Sequence, residues 1–200
     1  YGWRPTVYEV KELTAEVTPS GATPAVYSAV IGKDTGAYES PDRNSEVIKN
    51  VAQGTRVAIL EIEDGWAKVI HWRQPVYIYL DAVESLTPVY DSESAQHGDT
   101  IAAFISFFNL SERGLNPNRI LNIEKACEYI SISLAPGEEF SFNGIAGPYR
   151  KTRGYLEAPS FVGGETVPSY GGGTCQVSST LYNTLLPLKG DITILYRVAH

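Results

Sequence analysis

A cysteine follows three consecutive glycines in Gly171-Gly172-Gly173-Thr174-Cys175-Gln176-Val177-Ser178, and the residues after it read as a helix. The spacing puts the thiol in the first helical turn, with Thr174 as the natural N-cap. That end of a helix carries unpaired N–H groups and the positive end of the dipole. A thiol held there has its thiolate favoured, and with it nucleophilicity at neutral pH. Glycines leave room for another molecule to approach the backbone closely. The pattern suits covalent thiol catalysis, or a tight site for an anion or a carbonyl. Gly171, Gly172, Gly173, Thr174, Gln176 and Ser178 are the candidate substrate-binding residues around Cys175. A structural reading stands beside this one: the glycines allow a loop to pack tightly on a strand, and Cys175 is a buried thiol or half of a disulfide.

The outline, a strand, a glycine turn, a cysteine helix and a strand bearing a histidine, resembles that of papain-like and NlpC/P60-like thiol peptidases, which implies Cys175 as nucleophile and His200 as its base. It stands at the end of a run from Ile192 to Val198 that reads as the last strand. Asn143 and Glu139 are candidates for a third, orienting group. Arg150, Lys151 and Arg153 form a local basic cluster in an acidic chain, and Arg150 and Arg153 are candidates to meet a substrate carboxylate. His71 and His97 read as surface residues. Cys and His are too few, and not at ligand spacing, for a metal site. No cofactor is expected.

The elements that position these residues lie in the second half of the chain. Residues 101–108 read as a buried strand that opens it. Asn116-Pro117 reads as a helix start, Asn as cap and Pro at the first helical position. Ile120, Ile123, Cys127 and Ile130 then follow at spacings of three, four and three, one face of a helix. Cys127 on that stripe reads as a small buried hydrophobe. Phe140 and Phe142 alternate with Ser141 and Asn143 as in a strand. Residues 155–162 read as a strand, Gly163-Gly164-Glu165 as a turn and 166–168 as a short return. Val177, Leu181 and Leu185 give the cysteine helix its core face, and Pro187 and Gly190 end it.

The first half has a different texture. Residues 1–25 read as an extension or linker with one candidate strand near Val7. From Val26 the chain shows short strands with turn signals between them: 26–31, 47–48, 56–62, 66–70 and 76–80. Asp64-Gly65 supplies the positive φ that a tight hairpin needs. Trp66, Lys68 and Ile70 alternate on one face. Such strands predict a small β-barrel. Residues 85–98 are polar and read as a linker.

Bulk composition limits the partners. The chain has 200 residues, 43% of them hydrophobic, and a net charge of −7. That suits one large or two small domains with real cores. The negative charge argues against nucleic acid. No apolar run is long enough to span a bilayer. The chain has no Met and starts at Tyr1, which reads as a processed or trimmed product whose signal or anchor was removed. The two cysteines do not make a disulfide framework, although a Cys127–Cys175 bridge stays open.

Two resemblances add to this reading. The glycine–cysteine stretch, with Leu134-Ala135-Pro136-Gly137-Glu138-Glu139-Phe140-Ser141-Phe142-Asn143 upstream, resembles the VanW family over roughly residues 99–200. That family is associated with glycopeptide-resistance clusters and the bacterial cell envelope. The resemblance implies an extracellular or wall-associated protein, with peptidoglycan or its stem peptides as partner. The pattern Ser40-Pro41-Asp42, Val47-Ile48, Gly54-Thr55, Asp64-Gly65-Trp66-Ala67-Lys68-Val69 resembles bacterial SH3 domains, which commonly bind cell-wall peptide or act as spacers. The strand, glycine turn, cysteine helix and histidine strand also share the outline of papain-like and NlpC/P60-like thiol peptidases. There the histidine takes the thiol proton and helix-start N–H groups hold the oxyanion. The expected architecture is α+β: an extension at 1–25, an SH3-like small barrel at 26–87, a linker at 88–98, and an α+β VanW-like domain at 99–200 with a Cys at a helix N-terminus. The expected function is Cys-dependent chemistry or ligand binding on peptidoglycan peptide. The alternative is a non-catalytic wall-binding or scaffold protein.

Overall fold

A computed structural model describes residues 24–197 apart from 72–73, 109, 163–164 and 189–191. The candidate strand near Val7, the Gly163-Gly164 turn, Trp72, Gly190 and His200 lie outside the described residues.

The strands described in the first half pair antiparallel within their sheets: β1 Tyr27–Ile31, β2 Thr35–Tyr38, β3 Val47–Val51, β4 Arg56–Ile59, β5 Glu61–Glu63, β6 Trp66–His71, β7 Gln74–Tyr79 and β8 Val83–Pro88, with a short 3-10 turn at Leu80–Ala82. They form a three-stranded sheet in the order β4-β1-β8 and a five-stranded sheet in the order β3-β2-β7-β6-β5. Among the described residues these are two sheets, not one closed barrel. The run 56–62, expected as a single strand, breaks at Leu60, and its two pieces serve different sheets. Alternation along each strand turns one face inward. Ile31, Val57, Ile59, Ala67, Val69, Val76 and Ile78 form the core between the sheets, each almost fully buried. Asp64 and Gly65 adopt φ of 47° and 81°, so both central turn residues are left-handed, as a two-residue hairpin requires.

The second half is mixed. Helix α1 spans Asn116–Ile130, α2 Phe142–Ala146, and α3 Thr174–Leu185. Strands β9 Glu157–Val162 and β10 Glu165–Tyr170 pair as an antiparallel ribbon. The chain as a whole is α+β. Pro117 sits in the first turn of α1, where a missing N–H costs nothing. Asn116 is the first helical residue, and Leu115 takes the cap position.

Three expectations for this half are corrected. The alternation at 140–143 is not a strand: the Ser141 hydroxyl accepts from the Gly144 N–H at 3.2 Å and caps α2 instead. Residues 193–197 form no strand. Residues 101–108 also lack strand pairing, yet their period-two pattern has a use. Ile105 packs on the β core and Phe107 lies edge-on to His71 at 5.0 Å. Phe108 packs with Ile123, Ala126 and Val177 in the second core. Ser106 reaches α3, accepting from the Gln176 amide at 2.7 Å and bonding the Thr180 hydroxyl at 2.6 Å. The segment thus presents alternate residues to the two halves.

Candidate functional site

Cys175 is the second residue of α3, and Gly173 holds the cap position with φ 105°. The residue is exposed and both cysteines are free, so no Cys127–Cys175 bridge forms. Cys127 is also exposed, contrary to the buried position its helical stripe suggested. The residues of α1 that are buried are Asn122, Ile123 and Ala126, a face rotated by about one position. Desolvation, then the charge of Glu124, pushes the Cys127 thiol above its ordinary range.

Thr174 does not cap α3. It is buried at the first helical position and hydrogen-bonds Tyr149. The Tyr149 hydroxyl also donates to Asn143 Oδ1 at 2.7 Å. Burial pushes the Tyr149 phenol up, the Thr174 hydrogen bond pulls it back, and the negative charge of an ionised Cys175 adds to the rise. Asn143, Tyr149, Thr174 and Cys175 therefore form one neighbourhood, assembled from α2, the following loop and the start of α3. The N–H groups of Gly171, Gly172, Thr174 and Gln176 bond backbone carbonyls. Those of Gly173 and Cys175 find no hydrogen-bond partner among the described residues. Two unpaired donors beside an exposed sulfur suit an electron-rich oxygen.

The glycine run is closely packed by the chain itself. A Cβ on Gly171 would lie 2.8 Å from the Tyr149 ring, and one on Gly173 2.8 Å from the Arg119 stem. One on Gly172 would meet the backbone carbonyls of Ala158 and Pro159. The missing side chains admit β9, Tyr149 and α1, which occupy the space that the sequence left open to a second molecule.

The other candidates have varied surroundings. The Gln176 side chain is taken up by Ser106 and, at 3.5 Å, by Arg119. Ser178 is half-buried on α3. Arg150 is exposed, whereas Arg153 lies 4.2 Å over the Tyr129 ring and donates to the Ile145 carbonyl at 3.0 Å. Glu139 is exposed. His97 is exposed, and His71 is half-buried in β6, its imidazole held below the ordinary range by burial and then by Lys49. His200 lies outside the described residues. Among the described residues no group of three or more His, Cys, Asp or Glu side chains is placed to hold a metal ion. No described helix is long and apolar enough to cross a membrane.

Two residues that sequence reasoning missed support this neighbourhood. Asn122, fully buried on α1, donates to the carbonyls of Leu156 at 2.9 Å and Gly172 at 3.0 Å, and accepts from the Leu156 N–H at 2.8 Å. Tyr155, also fully buried, donates to the Ala146 carbonyl at 2.7 Å and meets Tyr149 edge-on at 5.3 Å. Nothing in their local spacing signals either role. Burial, with the charges of Tyr149 and Tyr129, pushes the Tyr155 phenol up to about 12. Its folded value lies above its unfolded value near 10, so the folded state holds this proton more tightly. The associated stability is present below pH 10 and is lost as pH rises from about 10 to 12, amounting to roughly 2–3 kcal/mol. Urea unfolding across that window should show this fall, and Tyr155→Phe should flatten it.

The chain is 33% identical over 118 residues to "Uncharacterized protein YoaR" of Bacillus subtilis (strain 168), covering 58% of the chain and 37% of that protein's length. Residues 118–200, from the first turns of α1 through the glycine turn, Cys175 and α3, match the family model described as VanW like protein.

Proposed function

We propose that this is an extracellular or wall-associated protein of the bacterial envelope, in which an SH3-like β module is joined to a VanW-like domain that acts on peptidoglycan peptide through Cys175. The observation that carries this reading is an exposed, free sulfur in the first turn of α3, flanked by the N–H groups of Gly173 and Cys175, which have no partner among the described residues, and by the Asn143–Tyr149–Thr174 chain. In the reaction, the sulfur adds to an amide carbonyl, a C–S bond forms, the C–N bond breaks, and the thiol proton passes through His200 to the leaving amine. Water then releases the acyl group. Asn143 and Tyr149 are positioning residues, and Arg150 meets a substrate carboxylate.

Labelling by iodoacetamide, followed residue by residue by mass spectrometry at neutral pH, tests this. Cys175 should react faster than the cysteine of an unstructured peptide. Cys127 should react more slowly than that peptide, because its raised pKa leaves less thiolate. A Cys175 rate no higher than the peptide's overturns the thiol mechanism. The filled glycine run and the engaged Gln176 side chain favour a second reading, non-catalytic wall binding or scaffolding. It requires that Cys175→Ser leave co-sedimentation with purified peptidoglycan unchanged.

A further inference from the structure

The hydrogen bonds around Tyr149 run in one direction. Its hydroxyl donates to Asn143 Oδ1 at 2.7 Å. A phenol has one proton, so in its bond with the Thr174 hydroxyl it is Thr174 that donates. Thr174 is 5% exposed, whereas Asn143 is an exposed residue. The chain therefore starts at a buried hydroxyl on α3 and ends at a surface amide on α2. With Oδ1 taken, the Asn143 Nδ2 faces another way, and its two N–H groups meet no acceptor among the described residues.

An exposed asparagine ordinarily samples several rotamers. Here the partner that holds it is itself fixed. The Tyr149 ring lies against the bare Cα of Gly171, where a Cβ would stand 2.8 Å from it, and edge-on to the fully buried Tyr155 at 5.3 Å. The result is a pair of N–H donors at the surface with a set orientation, two hydrogen bonds from the residue that precedes Cys175. Charge around this amide has one sign. Residues 140–156 contain Arg150, Lys151 and Arg153 and no Asp or Glu, in a chain whose net charge is −7. Residues 171–188 contain no charged side chain. Arg153 is engaged by the Ile145 carbonyl and the Tyr129 ring, but Arg150 and Lys151 are exposed and form no ion pair among the described residues. Oriented donors without acceptors, beside unpaired cations, suit an anionic oxygen.

We propose that the Asn143 side-chain amide is the specificity-determining donor for a carboxylate on the molecule that reaches Cys175. Asn143 Nδ2 donates to a carboxylate oxygen, Tyr149 and Thr174 hold the amide in position, and the loop at 150–151 supplies the attracting charge. The inference rests on Cys175 being the group that the ligand approaches, and it adds ligand contact to the positioning role of Asn143. Tyr149 remains a positioning residue, acting through Asn143.

Two maleimides of equal length test this on the full chain: maleimidopropionate and its neutral amide. With either, the sulfur adds to the ring C=C, a C–S bond forms, and the thiol proton passes through water to the neighbouring carbon. Rates at Cys175 are followed by mass spectrometry and expressed as carboxylate over amide, relative to the same ratio for a cysteine in an unstructured peptide. The thiolate fraction cancels in that ratio. A Cys175 no more nucleophilic than a free cysteine therefore leaves this test intact, and a failure here leaves the thiol mechanism standing. The ratio should exceed the peptide's by about two- to five-fold. An excess should persist at about 0.5 M salt, where the loop charges are screened. Asn143→Ala and Tyr149→Phe, neither of which changes a charge, should each return the ratio at that salt to the peptide's value. Unchanged labelling of Cys127 shows that the variants are folded. A ratio equal to the peptide's, an excess lost to salt in the unaltered chain, or an excess retained in either variant overturns the proposal.

Discussion

Replacing Asn122 by leucine, which keeps the branching and heavy-atom count, adds bulk and removes the amide, should destabilise the second half of the protein by about 3–5 kcal/mol. The side chain is fully buried and makes three hydrogen bonds, two to Leu156 and one to Gly172. Each bond taken alone is worth about 1 kcal/mol net. The larger cost is what remains: the Leu156 N–H and the Gly172 carbonyl lose the partner they have among the described residues, while the Leu156 carbonyl keeps the Gly171 N–H at 3.3 Å. Asn122→Asp separates the parts. The carboxylate still accepts from Leu156 but faces two carbonyls as a buried charge, so its penalty should shrink as pH falls and the group protonates into a donor. Urea unfolding followed at 222 nm reads this half selectively, since α1, α2 and α3 all lie between residues 116 and 185. A loss below about 1 kcal/mol for Asn122→Leu would show that water replaces the amide and that the linkage has little weight.

Asn122 also shows where sequence reading stops. Periodicity finds helices well, and Asn116-Pro117 announced the start of α1 within one residue. The stripe Ile120, Ile123, Cys127, Ile130 then pointed to the wrong inner face, because an apolar template counts asparagine as solvent-facing. The residue that enters most deeply is polar, and its partners stand 34 and 50 positions away. The same limit hid Tyr149 and Tyr155. By contrast, the Asp64-Gly65 hairpin and the helix after the glycine run depend on local chemistry and were legible. At 140–143 two local signals competed, aromatic alternation and a serine cap, and the cap prevailed because Ser141 reaches the Gly144 N–H.

Gly172→Ala should be the most damaging of the three glycine replacements, and the reason separates packing from ligand approach. Gly171 and Gly173 adopt φ of 83° and 105°, so alanine at either position carries backbone strain of roughly 1–2 kcal/mol. Their nearest neighbours are side-chain atoms, the Tyr149 ring and the Arg119 stem, and the Arg119 stem can shift. Gly172 has no such outlet. Its new methyl would stand 2.6 Å from the Ala158 carbonyl carbon and 2.7 Å from the Pro159 oxygen. Those atoms belong to β9, which is held in a six-pair register by β10. Relief requires moving the ribbon off the start of α3, which also pulls the Gly172 carbonyl from Asn122. The expected loss is about 3 kcal/mol or more, the upper end for overpacking. Iodoacetamide labelling of Cys175 should then lose any enhancement, because the turn that presents α3 no longer holds its place. A Gly172→Ala protein of unchanged stability that fails only to bind peptidoglycan would reverse the argument: the glycine would be kept bare for a ligand, and the contact with β9 would be a tolerance rather than a requirement.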